Sequence, residues 1–191
     1  MFLTCATMKT EKYSVLFLLL GLFLSSCKEV SFKEPQPAGI AALNTIPEKL
    51  HGWYQAGDKV DKKDTDTLIV ESWGYHFKDK DDKDWLGQGT ISDSLVIKFY
   101  QDCYFVNFRS GNQWVLRLIK QKPSGAIDFL TIDIGDDAKR AEMLKKMSKK
   151  FKVTEVKKES DTFYQINPSK DQLMQLIKEG YFTGVELSKI K

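Results

Sequence analysis

Residues 95–134, LVIKFYQDCYFVNFRSGNQWVLRLIKQKPSGAIDFLTIDI, decide the fold. Four runs rich in Val, Ile, Leu and aromatics (95–100, 104–109, 113–121 and 126–134) are separated by Gln101-Asp102, Ser110-Gly111-Asn112 and Pro123-Ser124-Gly125. Such residues suit a pleated, half-buried surface. Connections this short join only antiparallel neighbours, because a parallel crossover takes about a dozen residues or more. The stretch is predicted to be a β-meander. Both of its faces are partly apolar. Leu95, Ile97 and Phe99 oppose Lys98, yet Val96 and Tyr100 share the side of Lys98, and Trp114, Leu116 and Leu118 oppose Val115, Arg117 and Ile119. A sheet covered on both sides is expected to curl, or to close into a small barrel, with helices laid against it.

Beyond the meander the apolar period changes. Asp136 or Asp137 can cap a helix running through Lys150, with Ala141, Leu144, Met147 and Phe151 on one stripe. Strands are expected over 152–156 and 162–166. Asn167-Pro168-Ser169 then opens a second helix, in which Ser169 and Gln172 are spaced as a capping box, Leu173, Leu176 and Ile177 are the apolar side, and Gly180 is the stop. A last strand is expected over 185–190. Upstream, 51–55 and 67–72 read as strands, with 73–78 continuing or following the second. The expected class is mainly β (α+β), with two helices in the C-terminal third.

The chain has 191 residues, 42% of them hydrophobic, which suffices for one core. The globular domain is expected over 47–191. A net charge of +3 is too mild for nucleic acid, which wants a concentrated basic face. His51 and His76 stand apart, without partners at metal-ligand spacing, so no metal or other cofactor is expected. Asp79, Asp81, Asp82 and Asp84 lack the glycine and the bidentate Glu of a calcium loop, and read as a solvated loop. No GxSxG, P-loop or GxGxxG occurs, so no enzyme is expected.

The N-terminus carries an address. Lys9 and Lys12 precede an apolar run over 15–24, too short to span a bilayer core of ~30 Å as a helix, which takes about 20 residues. Leu24-Ser25-Ser26-Cys27 resembles the lipobox of bacterial lipoproteins. That resemblance implies a signal peptide over 1–26, cleavage between Ser26 and Cys27, and a diacylglyceryl thioether on Cys27 that anchors the protein to a membrane of the cell envelope, the outer membrane by expectation. The signal is more compact if translation starts at Met8. Cys27-Lys28-Glu29 is similar to the export signals of surface lipoproteins in Bacteroidota. Residues 27–46, with Pro35, Pro37 and Gly39, are expected to form a flexible tether. With Cys27 lipidated, only Cys103 remains as a thiol in the mature chain, and its strand-like surroundings predict a buried structural residue.

Trp53, Trp73, Tyr75, Phe77 and Trp85 concentrate in one third of the domain and are the candidate ligand-binding residues. Gly52-Trp53 near the start of a β-meander is similar to the glycine and tryptophan of the first lipocalin strand, although here the two are adjacent. Two functions follow. A closed, side-chain-filled sheet points to a non-catalytic binding or interaction module for an unknown protein or small molecule. An open apolar cavity lined by Trp53, Trp73 or Phe77 points to a lipocalin-like carrier of a small apolar ligand. An envelope hydrolase is the third and weakest reading.

Overall fold

The computed structural model describes residues 28–56, 67–78, 87–158 and 161–191. Its architecture is mainly β, with two helices in the C-terminal part. The strands are β1 (Lys28–Phe32), β2 (Gly52–Ala56), β3 (Leu68–Glu71), β4 (Gly74–Phe77), β5 (Gln88–Thr90), β6 (Leu95–Tyr100), β7 (Cys103–Ser110), β8 (Gln113–Gln121), β9 (Ile127–Thr131), β10 (Thr154–Lys158), β11 (Asp161–Ile166) and β12 (Thr183–Lys189). Helix α1 (Asp137–Ser148) follows β9, and α2 (Lys170–Lys178) follows β11.

The predicted meander is β6 to β9, all antiparallel. Gln101 and Asp102, both at positive φ, form the two-residue turn between β6 and β7, and Gly111 at φ +61 opens the next. β8 is the trunk of the sheet. One of its edges pairs with β7 along nearly its whole length, while the other is shared between β1 at Trp114–Val115 and β9 at 118–121. From β9 the ladder runs through β12, β2, β3 and β4 to β5, and from β1 through β11 to β10.

The sheet curls but does not close. Among the described residues no ladder joins β5 to β6, the two strands a barrel would have to unite. The outer edge of β6 is taken instead by residues 42–43, through a bridge between Ala42 and Lys98 and a bond from the Leu43 amide to the Ile97 carbonyl at 2.8 Å.

The expected tether is therefore part of the fold. Val30 and Phe32 point into the core while Glu29 and Ser31 point the other way, a period-two pattern that fits β1 into a parallel ladder with β11. Residues 33–46 then form a strap across the sheet. Asn107, fully buried, accepts from the Gln36 amide at 2.7 Å and donates to the Gln36 carbonyl at 2.8 Å. Lys98 donates to the Pro35 and Pro37 carbonyls at 2.7 and 2.9 Å. Burial holds the Lys98 ammonium below the ordinary lysine pKa, with Glu34 pulling the other way. These bonds satisfy polar groups that would each cost about 1–3 kcal/mol if buried alone.

Alternation along β8 separates two cores. Leu116 and Leu118 face a solid core formed with Phe105, Val30, Phe32 and the helices. Leu173 and Leu176 of α2 are almost wholly buried there, behind the Ser169–Gln172 capping box. From α1, Met147 is fully buried, with Met143 and Phe151 packed beside it; Ala141, expected on that stripe, is exposed. Arg117 and Ile119 face the concave side.

Candidate functional site

The concave side of the sheet holds a partly open cavity of about 370 Å³. Its floor is Ile119 of β8 with Ile127 and Phe129 of β9, where Ile119 and Phe129 are cross-strand partners. One wall is Val106 and Phe108 of β7. The facing wall is built from the pairs Leu68–Phe77 and Val70–Tyr75 of the β3–β4 hairpin. Tyr75 meets Phe108 edge-on at 6.1 Å between ring centres.

The strap completes the enclosure. Its amide at Ile46 bonds to the Ser72 carbonyl at 2.9 Å, which carries the chain from the edge of β6 to the β3–β4 turn. Ile46, and Leu50 from the 3₁₀ turn Glu48–Leu50 that follows it, then line the cavity. Two side-chain bonds fix this turn: His51 Nε2 lies 2.8 Å from the Ile46 carbonyl, and the Tyr54 hydroxyl donates to the Leu50 carbonyl at 2.9 Å. Tyr54 is fully buried, and burial raises its pKa.

Among the described residues one charged side chain lines this space. Arg117 sits mid-strand opposite Val106, and its guanidinium meets Glu29 of β1 in a two-point pair, Nη2 to Oε1 at 2.7 Å and Nη1 to Oε2 at 3.2 Å. Nη1 also reaches Thr131 Oγ1 at 3.2 Å and the Leu116 carbonyl at 3.3 Å. Fork-to-fork geometry of this kind fixes direction as well as charge.

Of the aromatic residues singled out from sequence, Tyr75 and Phe77 line the cavity. Trp53 and Trp73 do not. Trp53 neighbours the buried Tyr54 on a strand, so its ring points to the opposite face, where Lys78 and Lys191 lie over it at 5.7 and 4.9 Å. Trp73 occupies the β3–β4 turn, 44% exposed and stacked on His76 at 6.0 Å. Trp85, Cys27 and the aspartates of 79–84 lie outside the described residues. Cys103 is buried in the solid core, which pushes its thiol pKa up and keeps it protonated and unreactive. Among the described residues no three His, Cys, Asp or Glu side chains converge as a metal site would require, and no helix is long and apolar enough to cross a membrane.

Of the lining residues only Tyr75 and Phe77 were singled out from sequence, and the charged pair at the site, Arg117 in the lining and its partner Glu29, was missed. Arg117 stands between Leu116 and Leu118 inside an apolar strand, where a charge implies a buried partner. Glu29 was hidden in the supposed tether. No family model, curated protein or solved structure matches the chain.

Proposed function

We propose that this protein is a non-catalytic binding protein of the cell envelope that carries a small apolar ligand in the cup of its curled sheet, and that lipid on Cys27 anchors it to the membrane. The cavity carries this reading. Its volume of about 370 Å³ falls within the range of roughly 300–1,000 Å³ typical of small-molecule sites, and its lining is almost wholly hydrocarbon and aromatic. The cup is partly open to solvent, and apolar wall left facing water costs roughly 25 cal/mol per Å² relative to the same wall covered. Water is a poor filler, because it needs two to four polar partners each and these walls supply few. An apolar occupant recovers the lost contacts.

The reading of the sheet as a filled interaction module loses ground for the same reason. The anchor fits the carrier. Lys28 already belongs to β1, so Cys27 is one residue from the sheet, and lipid there holds the cup close to a reservoir of apolar molecules.

The experiment is binding of N-phenylnaphthylamine, a fluorophore that brightens in apolar sites, to the domain from Lys28 onward. Saturable binding is expected, and Ile119→Trp, which fills the floor, abolishes it while the thermal transition persists. Binding that is absent in the parent, or unchanged in the filled variant, removes the carrier reading. Radioactive palmitate labelling of cells tests the anchor: the parent is labelled and Cys27→Ser is not.

A further inference from the structure

The charge balance in the wall of the cup selects the ligand's head. We infer that the cavity takes a neutral amphiphile, an apolar chain or ring body ending in an uncharged hydrogen-bond acceptor such as an ester carbonyl or a hydroxyl, and that it disfavours the free carboxylate. This inference rests on the carrier reading and names the ligand class of that same site.

Arg117 has five N–H donors. Nη1 shares its two among Glu29, Thr131 and the Leu116 carbonyl, and Nη2 gives one to Glu29. Nε and the second Nη2 hydrogen have no acceptor among the described residues. Yet the Arg117 side chain as a whole is only 8% exposed and lines the cavity. Donors of a cation left without acceptors in an apolar space are costly, so an acceptor on the ligand completes the site.

The acceptor's charge follows from Glu29. Its carboxylate, 17% exposed, already cancels the charge of Arg117 through two contacts. A second carboxylate would leave one uncompensated negative charge in a low-dielectric site and face Glu29 across the shared guanidinium. A carbonyl or hydroxyl oxygen takes the same hydrogen bonds and brings no charge. Among the described residues, Tyr75 and Tyr104 are the other polar-tipped residues lining the cavity.

The test displaces N-phenylnaphthylamine from the parent protein with three ligands of one chain length: lauryl alcohol, methyl laurate and laurate. The two neutral ligands are expected to displace it at concentrations about ten-fold lower than laurate. In Glu29→Gln, which uncovers the Arg117 charge, the order reverses in favour of laurate. In Arg117→Met the alcohol and ester displace the reporter no better than dodecane, run beside them as the headless control. Laurate equal to or better than the neutral ligands on the parent protein overturns the inference while leaving the carrier reading in place. A reporter that never binds overturns the carrier reading and this inference with it. The comparison on the parent protein needs no variant, so it decides even if Glu29→Gln fails to fold.

Discussion

Leu118 and Ile119 are neighbours on β8, yet they face different interiors. Leu118 is fully buried between Phe105 and the helices, in a core packed from both sides. Ile119 is nearly as buried, but across from it lies the cavity. Burial from solvent is thus the same on both faces while contact density is not. Both faces bury an apolar cluster, and on the concave one the strands bend around a cavity. This division lets one sheet be rigid where it is packed and receptive where it is not.

Truncation on the two faces breaks or confirms that contrast most directly. Leu118→Ala is expected to destabilise by about 3–4 kcal/mol, since it opens a new void in a filled core. Ile119→Ala is expected to cost about half as much, because part of its surroundings is already empty. Enlargement should reverse the ranking: Leu118→Phe overpacks and costs about 1–3 kcal/mol, whereas Ile119→Phe projects into the cavity and is neutral or stabilising. Denaturant melts of the four variants measure this. Equal costs on the two faces would mean that the cup is filled as densely as the core.

A smaller effect probes the strap, which crosses the helix-side face before it closes the cup. Asn107→Ala strands the Gln36 amide and carbonyl and is expected to cost about 2–3 kcal/mol. Amide hydrogen exchange should then speed up at Gln36, Leu43 and Ile46 while the α2 amides stay protected. Exchange that rises equally in both would show that strap and helices form one unit. Smaller again is Ser169→Ala, which removes the α2 cap and should cost about 1 kcal/mol. It acts on the solid side alone and leaves N-phenylnaphthylamine affinity unchanged.

The difference between the faces also explains what could be read in advance. The meander and α2 announced themselves locally, through Gln101-Asp102, Gly111 and the Ser169–Gln172 box, because turn and cap chemistry acts over a few residues. β1 did not. Its KEVSF alternates properly, but its partner strand is β11, more than a hundred residues away, and the prolines that follow look like linker until Lys98 and Asn107 are seen beneath them. β5, Gln-Gly-Thr, has no apolar signature at all. At the site, Tyr75 and Phe77 share a face by strand parity and were found. Trp53 is excluded by the same parity once Tyr54 is known to be the inward residue, which the sequence of a short strand does not declare.

The smallest expected effect is in the pH dependence, where each face holds an acid whose pKa burial raises. Cys103 lies in the solid core and Tyr54 beneath the cup, and burial raises both pKa values. Above the ordinary thiol range, about pH 8.5, and then above the ordinary phenol value, about 10, the unfolded chain loses protons that the folded protein keeps. Because the folded state then binds more protons, stability falls as pH rises through each window. Lys98 has the opposite sign. Its lowered pKa means that the folded protein gives up a proton which the unfolded chain still holds below the ordinary lysine range, so its contribution grows with pH there. Cys103→Ala should therefore flatten the first decline and Tyr54→Phe the second, each read from the slope of unfolding free energy against pH rather than from its absolute value. Only the second step should respond to an occupant of the cup. Tyr54 holds the Leu50 carbonyl and so the turn that lines the cavity, and ionisation of its hydroxyl removes that bond. A ligand-dependent shift confined to the Cys103 step would place the occupant on the helix side and contradict the division between the faces.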